Sequence, residues 1–421
     1  MDQNYEKCIT VGVNLGNKSN DLDELNSLVE AVSGKVYFTI EQNRQRIDPK
    51  YYVGKGKLDE ISNLVEMEEI DSVIFNQELN NTQIRNIEDK VNCKIIDRTN
   101  LILDIFALRA KTRESKIQVE LAQLEYRYSK LKGKGIDMSR LGAGIGTRGP
   151  GEKKLETDRR HITSRIEELK KNLDKVRKVR KEKRKRRMKN QIPTISVVGY
   201  TNAGKSTLIN ALTKEYGINN KKVFEKDMLF ATLTTENRRL LLPNNIELII
   251  TDTVGFINNL PTFLVESFKS TLEEIAYSDV ILNVIDINSV NVKEQKKVTE
   301  DILKELKVED IPIIDVYNKI DTTRNNYKNR DFNIFISAKK GINLDKLTEK
   351  IIETVYGREI EVEIFIKYTQ PKKINHIERK YNIINKKMTE DGMIFKVKTR
   401  ETLLKKLEDG EYNVEGIQDN T

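Results

Sequence analysis

The chain has 421 residues, 38% of them hydrophobic and 33% charged, with a formal net charge of +9. That length supports about three domains at ~150 residues each, and the composition is that of a soluble globular protein, not a disordered or fibrous one. It contains no apolar run long enough to cross a membrane, and MDQNYEKCIT lacks the basic-then-apolar order of a signal peptide.

Cys8 and Cys93 stand far apart, outside any CxxC or Cys/His cluster. They read as packing residues in a reduced, cytoplasmic compartment; peripheral attachment to a membrane surface is compatible with the same composition. The charge is unevenly spread. Arg109 to Lys189 holds 28 Lys+Arg and 11 Asp+Glu, a local +17 that leaves −8 for the rest of the chain. A polyanionic partner for that one segment is the expectation.

Residues 1–108 alternate two patterns. CITVGVNL, KVYFTIEQ, DSVIFNQ and CKIIDRT read as short apolar strands, while DELNSLVEAVSG, GKLDEISNLVEME and TQIRNIEDKV carry helical spacing. Such βαβ alternation predicts a small parallel-sheet domain. Within it, VGKGKLDE (Val53–Glu60) lacks P-loop spacing and reads as a tight turn or an RNA contact before a phosphate site.

Residues 109–190 predict an antiparallel helical hairpin. Ile117, Leu121, Leu124, Tyr128 and Leu131 form one helical stripe, and Ile162, Ile166, Leu169, Leu173 and Val176 form a second. Helices over 111–132 and 154–189 would be roughly 33 and 54 Å long. Between them, Gly133 to Gly151 holds seven of the chain's 21 glycines, together with Arg140 and Arg148. This tip predicts a structureless loop, uncommon unless functional. Lys153, Lys154, Arg159 and Arg160 follow it and complete the candidate RNA-contact set. The second helix ends in KVRKVRKEKRKRRMKN, readable as a solvated linker or a nucleic-acid-binding run. His161 has no ligand cluster near it and receives no role.

Residues 191–357 carry the chemistry. ISVVGYTNAGKSTLINAL is a strand, a glycine turn and a helix, with Gly199, Gly204, Lys205 and Ser206 in G-x-x-x-x-G-K-[ST] order. Backbone N–H groups of Gly199, Tyr200, Thr201, Asn202, Ala203, Gly204 and Thr207 are placed to curl around phosphates. Lys205 would reach the β- and γ-phosphates, and Ser206 would ligate Mg²⁺. LIITDTVGF puts Asp252 at a strand end, where its carboxylate can hold the same Mg²⁺, followed by Thr253, Val254 and Gly255, whose amide can meet the γ-phosphate. VYNKID supplies Asn318, Lys319, Ile320 and Asp321, and ISAKKG supplies Ser337, Ala338 and Lys339. A carboxylate at Asp321 accepts from guanine N1–H and the 2-amino group; adenine would leave it unpaired, at about 1–3 kcal/mol. Together these four motifs predict a doubly wound domain that binds GTP.

MLFATLTTENRRL offers Phe230, Ala231, Thr232, Leu233 and Thr234 as switch I, with Thr232 favoured as the metal ligand that senses the γ-phosphate. Lys205, Thr232 and Gly255 are the expected catalytic set. Phe256 stands where many GTPases place a water-orienting Gln, so intrinsic hydrolysis should be slow and partner-stimulated. Asn202 reads either as a turn residue or as a help in holding K⁺ near the phosphates. From Arg358 onward, IEVEIFIKY and GMIFKVKT predict strands and RETLLKKLE a helix, a small α+β unit over 358–421.

With these residues in place the chain resembles the HflX family of ribosome-associated GTPases, in the Obg–HflX group. YYVGKGKLDEI, GIGTRGPGEKKLETDRRHI, GYTNAGKST, LFATLT, DTVGF, NKID and SA carry the resemblance. Lys153 departs from the family's usual Thr, and Thr234 from its usual Asp. The resemblance implies a monomer that binds the large ribosomal subunit, its arm reaching 23S-type rRNA near the peptidyl-transferase region. It also implies GTP-dependent splitting of stalled or vacant ribosomes, and leaves room for adenine-nucleotide binding by the N-terminal domain. Competing expectations are a GTP-regulated RNA-remodelling or ribosome-assembly factor, and a switch that dimerises through its arm.

Overall fold

The computed structural model describes all residues except 1–4, 17–21, 142–149, 190–191, 219–236, 244–245, 254, 257–263, 265–271, 290, 309, 324–332, 403, 405–411 and 420–421. Two compact units emerge, one built on Met1–Arg186, the other on Arg187–Glu225, Thr235–Phe256 and Leu272–Thr421.

The first unit opens with a parallel sheet in the order β2-β1-β3-β4, from β1 (Glu6–Leu15), β2 (Gly34–Arg44), β3 (Ser72–Phe75) and β4 (Lys94–Asp97). Central β1 is buried on both faces from Cys8 to Val13, which is why it reads as a continuous apolar run. Helices α1 (Leu22–Ala31), α2 (Lys55–Glu68) and α3 (Asn81–Val91) return the chain between strands. Leu58 and Ile61 of α2 and Ile87 of α3 join Ile9, Val11, Val73 and Phe75 in the core. Asn80 and Gln83 close a reciprocal capping box at the start of α3.

The strand expected over CKIIDRT stops at Asp97, because the Asp97 side chain accepts from Asn100 N–H at 2.9 Å and caps a new helix, α4 (Arg98–Arg109). Two long helices follow, α5 (Arg113–Leu141) and α6 (Pro150–Lys189). Their pairing follows the expected stripes, with Leu121, Leu169 and Leu173 buried together and Ile117, Leu124 and Ile166 against them. The glycine-rich tip differs from the expectation. Helix α5 continues through Gly133 and Gly135 to Leu141, and α6 begins at Pro150. A helical glycine costs only about 1 kcal/mol against Ala, which an already propagating helix absorbs, and Pro suits a first helical turn. Between these two helices, residues 142–149 fall outside the described residues.

The second unit holds a six-stranded sheet in the order β10-β9-β8-β5-β7-β6, parallel except for edge strand β6. Its strands are β5 (Thr194–Gly199), β6 (Asn237–Leu242), β7 (Ile246–Asp252), β8 (Val280–Asp286), β9 (Ile313–Asn318) and β10 (Asn333–Phe335). Helices α7 (Lys205–Tyr216), α8 (Val292–Glu305) and α9 (Leu344–Tyr356) are interleaved with them. Leu208 and Leu212 of α7 and Leu347 and Ile351 of α9 pack on Val197, Leu282 and Val316.

The C-terminal sheet is antiparallel, β12-β13-β11-β14, from β11 (Glu359–Lys367), β12 (Asn382–Met388), β13 (Gly392–Arg400) and β14 (Asn413–Asp419). As the alternation predicts, Ile360, Val362, Ile364 and Ile366 share the buried face, packed with Ile377 of α10 (Pro371–Lys380). Sequence reading missed α10, β12 and β14. Most of the helix expected over RETLLKKLE lies outside the described residues.

A candidate guanine-nucleotide site

Strand β5 delivers the chain into the P-loop at Gly199, whose φ is +137°. A Cβ there would lie 2.2 Å from the Val284 carbonyl oxygen on neighbouring β8, so the turn demands glycine. Gly204, with φ +95°, opens α7, and a Cβ on it would come within 2.2 Å of Asn318 Nδ2. Between them Asn202 takes a left-handed φ of 61°, a conformation Asn tolerates in turns, and its side chain is exposed. Tyr200, Thr201 and Ala203 are buried, while Ser206 and Thr207 on α7 are half-buried.

Lys205 is buried, and its ammonium donates to the carbonyls of Gly199 at 3.0 Å and Tyr200 at 2.7 Å. Burial lowers its pKa to about 8, with the Asp252 carboxylate pulling in the opposite direction. Gly255 lies against this lysine; a Cβ there would be 2.9 Å from Nζ. Phe256 N–H donates to the Gly199 carbonyl at 3.1 Å, and Thr201 N–H to the Phe256 carbonyl at 2.8 Å. The D-x-x-G segment is thereby zipped to the P-loop. Phe256 itself is 2% exposed, packed as a core residue. Thr253 is likewise buried, its hydroxyl donating to the Val197 carbonyl at 2.6 Å.

Ser206 Oγ lies 3.4 Å from Asp252 Oδ2. A hydroxyl and a carboxylate side by side are hard oxygen donors, and this pair fits Mg²⁺. Phe230, Ala231, Thr232, Leu233, Thr234 and Val254 lie outside the described residues.

At the other end of the cleft, Asn318 is 2% exposed and bonds in two directions. Its Nδ2 donates to the Ala203 carbonyl at 3.0 Å, and its Oδ1 accepts from Ala338 N–H at 2.9 Å. One side chain therefore ties the P-loop to the S-A loop. Ser337 donates to Asp321 Oδ1 at 2.6 Å. That bond, with Lys340 and Lys339 adding to it, holds the Asp321 carboxyl below the usual carboxylate range. Ile320 and Asp321 form a single 3-10 turn after Lys319.

Sequence reading missed the support beneath this loop. Lys319 has a left-handed φ of 68°, uncommon for a long side chain, and its ammonium pairs with Asp286 at 2.7 Å. Asn288 Nδ2 donates to the Lys319 carbonyl at 3.1 Å and to Thr322 Oγ1 at 2.8 Å. The signal available was VIDIN, an apolar strand ending in two short polar side chains.

Of the candidate RNA contacts, Arg159 stands over the Tyr128 ring at 5.7 Å, and exposed Arg160 pairs with Glu156 at 3.1 Å. Arg140 belongs to α5 and Lys153 and Lys154 to α6; their side chains, and all of Arg148, lie outside the described residues. No helix among the described residues is long and apolar enough to cross a membrane.

Three family models match in succession. They are a GTP-binding GTPase N-terminal region over residues 19–107, a GTP-binding GTPase middle region over 109–187, and a 50S ribosome-binding GTPase over 194–319. The chain is 45% identical over 397 residues to GTPase HflX of Caldanaerobacter subterraneus subsp. tengcongensis, covering 94% of this chain and 91% of that one. GTPase HflX of Escherichia coli is 40% identical over 344 residues, 80% of this chain and 79% of that one. A crystal structure of a GTP-binding protein from Sulfolobus solfataricus in complex with GDP covers 83% of this chain and 98% of its own, at 27% identity and a TM-score of 0.46. With its P-loop, D-x-x-G and base-side motifs assembled on one sheet, the chain belongs to the HflX family of GTPases.

Proposed function

We propose that the chain binds the large ribosomal subunit in its GTP form and splits stalled or vacant ribosomes, hydrolysis then releasing it. The observation that carries this reading is one chain that joins P-loop, D-x-x-G and base-side guanine-nucleotide motifs to a helical arm whose segment holds +17. The match of residues 194–319 to a 50S ribosome-binding GTPase model supports it.

GTP binds with its phosphates along Gly199–Thr207 and Gly255, and with guanine against Asn318, Asp321 and Ala338. Ser206, Asp252 and Thr232 would hold Mg²⁺, which would supply charge neutralisation for the transferred phosphoryl group. K⁺ near Asn202 would add to it. Lys205 gives up its two carbonyl partners for phosphate oxygens. Thr232 and Gly255 report the γ-phosphate, which orders switch I. Because Phe256 is packed and has no side-chain polar group, water is positioned by the ribosome, and the intrinsic rate is slow.

The arm supplies reach and counter-charge. Arg140, Arg148, Lys153, Lys154, Arg159 and Arg160 meet rRNA phosphates and unstacked bases. Splitting follows when the bound arm and the small subunit compete for space. Purified large subunits should raise GTP hydrolysis at low salt, and the stimulation should fall steeply as salt rises. An unchanged rate at low salt would rule the reading out. Activity on isolated RNA would favour an RNA-remodelling factor instead.

A further inference from the structure

Within the first unit the arm is fastened to the α/β domain at a point the nucleotide site does not use. Asp97 ends β4, and its side chain is 0% exposed. Its carboxylate accepts from Asn100 N–H at 2.9 Å, Leu79 N–H at 3.2 Å, the Tyr126 hydroxyl at 2.5 Å and the Lys130 ammonium at 3.4 Å. Two of these donors belong to the α/β domain and two to α5. Lys130 also donates to the Leu79 carbonyl and pairs with Glu78 at 3.1 Å. The Asn81 amide in turn donates to the Lys130 carbonyl. A carboxylate so deeply buried is tolerated only while its hydrogen bonds are met, so each donor matters.

The position along the helix gives this cluster its leverage. The first tether is the short turn from α4 to α5, where Thr112 and Ser115 cap one another at 3.1 Å. Tyr126 lies roughly 20 Å farther along α5 at 1.5 Å per residue. One tether lets a rod swivel; a second at that distance fixes its direction. Beside the second tether the helices do not close. A cavity of about 490 Å³ is left there, lined among others by Leu103 and Asp104 of α4, Tyr126 and Lys130 of α5, and Asp158 and His161 of α6. Val119 and Ala122 of α5 are buried between the two tethers, and the polar cluster fastens the far end, beside the cavity.

We propose that Asp97, Tyr126 and Lys130 form a latch that sets the direction of the basic arm on the N-terminal domain, with Asp97 as the positioning residue. Its effect on ribosomes rests on the function proposed above; the latch itself does not.

Spin labels test it in the full-length protein. Cysteines replace Asp89 on α3 and Glu156 on α6 in a Cys93→Ser background, Cys8 being buried. Double electron–electron resonance on the parent should give one narrow distance. Tyr126→Phe and Lys130→Gln should each lose that single narrow peak to a broad distribution, with helix content unchanged, and Lys130→Arg should restore much of it. Asp97→Asn should broaden it most; if that variant fails to fold, the other two still decide. Unchanged narrow distances in both overturn the latch. Basal GTP hydrolysis should stay at the parent rate throughout, while stimulation by large subunits drops about tenfold as the arm loses its aim. Broad distances with stimulation intact would keep the latch and sink the ribosomal role of the arm.

Discussion

In the candidate nucleotide site, polar side chains engage backbone and side-chain partners across three loops. Asn318 holds the P-loop and the S-A loop together, Ser337 holds Asp321, and Asp286 and Asn288 hold Lys319. In the arm, the buried cluster is Leu121, Leu169 and Leu173. Around it lie charged pairs such as Arg165–Glu120 at 2.8 Å and Lys170–Glu125 at 2.9 Å. Solvent screens exposed pairs of that kind, and they add little to stability. Selectivity in the first region lives in fixed geometry, where one misplaced atom is costly. Under the proposed function, affinity in the second lives in summed charge and reach, where no single residue dominates.

The sharpest break of this contrast is Lys205→Ala. Hydrolysis of GTP should fall by about 10²–10³-fold, the loss expected for one aimed transition-state donor, while the melting temperature holds or rises. Any single Lys→Ala change in the basic run of α6 should leave hydrolysis untouched. Next is Leu169→Ala, a residue 1% exposed. It should cost about 2–4 kcal/mol of arm stability, read as faster amide exchange in α5 and α6, with no effect on GTP affinity. Loss of nucleotide binding in this variant would erase the distinction between the regions.

Asp321→Asn sharpens the comparison at the base end. GTP affinity should drop about 10–100-fold, since a charged hydrogen-bond acceptor contributes ~1.5–3 kcal/mol, and xanthine nucleotides should gain relative to guanine ones. Competition against a fluorescent GDP analogue reads both. The smallest effect is a pH slope. The folded-state pKa of Lys205, lowered to about 8, sits below its ordinary value of 10.5. Between those values the unfolded chain holds a proton the folded one lacks, so stability rises with pH there, by at most about 1.4 kcal/mol per pH unit. Below pH 8 both states are protonated and the rise is absent. Lys205→Met should remove the rise in denaturant titrations run without nucleotide.

Much of the nucleotide site was legible, because phosphate and guanine chemistry dictates residue types at fixed spacing. Gly199, Gly204, Lys205, Asp252, Asn318 and Ser337 are the positions that spacing singles out, and Lys205 and Asn318 bond to P-loop carbonyls while Ser337 bonds to Asp321. Their support was not legible. Asp286 and Asn288 act through a carbonyl and an ammonium brought near by sheet order, which spacing does not reveal. Helix α4 was hidden by its apolar run, LILDIF, which periodicity alone cannot tell from a strand; the sign that separates them is the Asp97 cap. The extension of α5 to Leu141 was missed because Gly133 and Gly135 read as breakers, whereas an established helix tolerates them at about 1 kcal/mol each. The Asp97 latch depends on contacts between residues 97, 126 and 130 that only the folded packing of α5 creates.

Co-sedimentation with ribosomes on density gradients, under GTP, GDP and a non-hydrolysable analogue, tests the central claim most directly. A variant with residues 134–150 replaced by a short linker is run beside the full chain. With the analogue, the full chain should travel with large subunits and deplete the intact-ribosome peak, and it should do neither with GDP. The shortened variant should bind weakly and leave that peak intact. Equal splitting by the variant, or equal binding under all three nucleotides, would contradict the account.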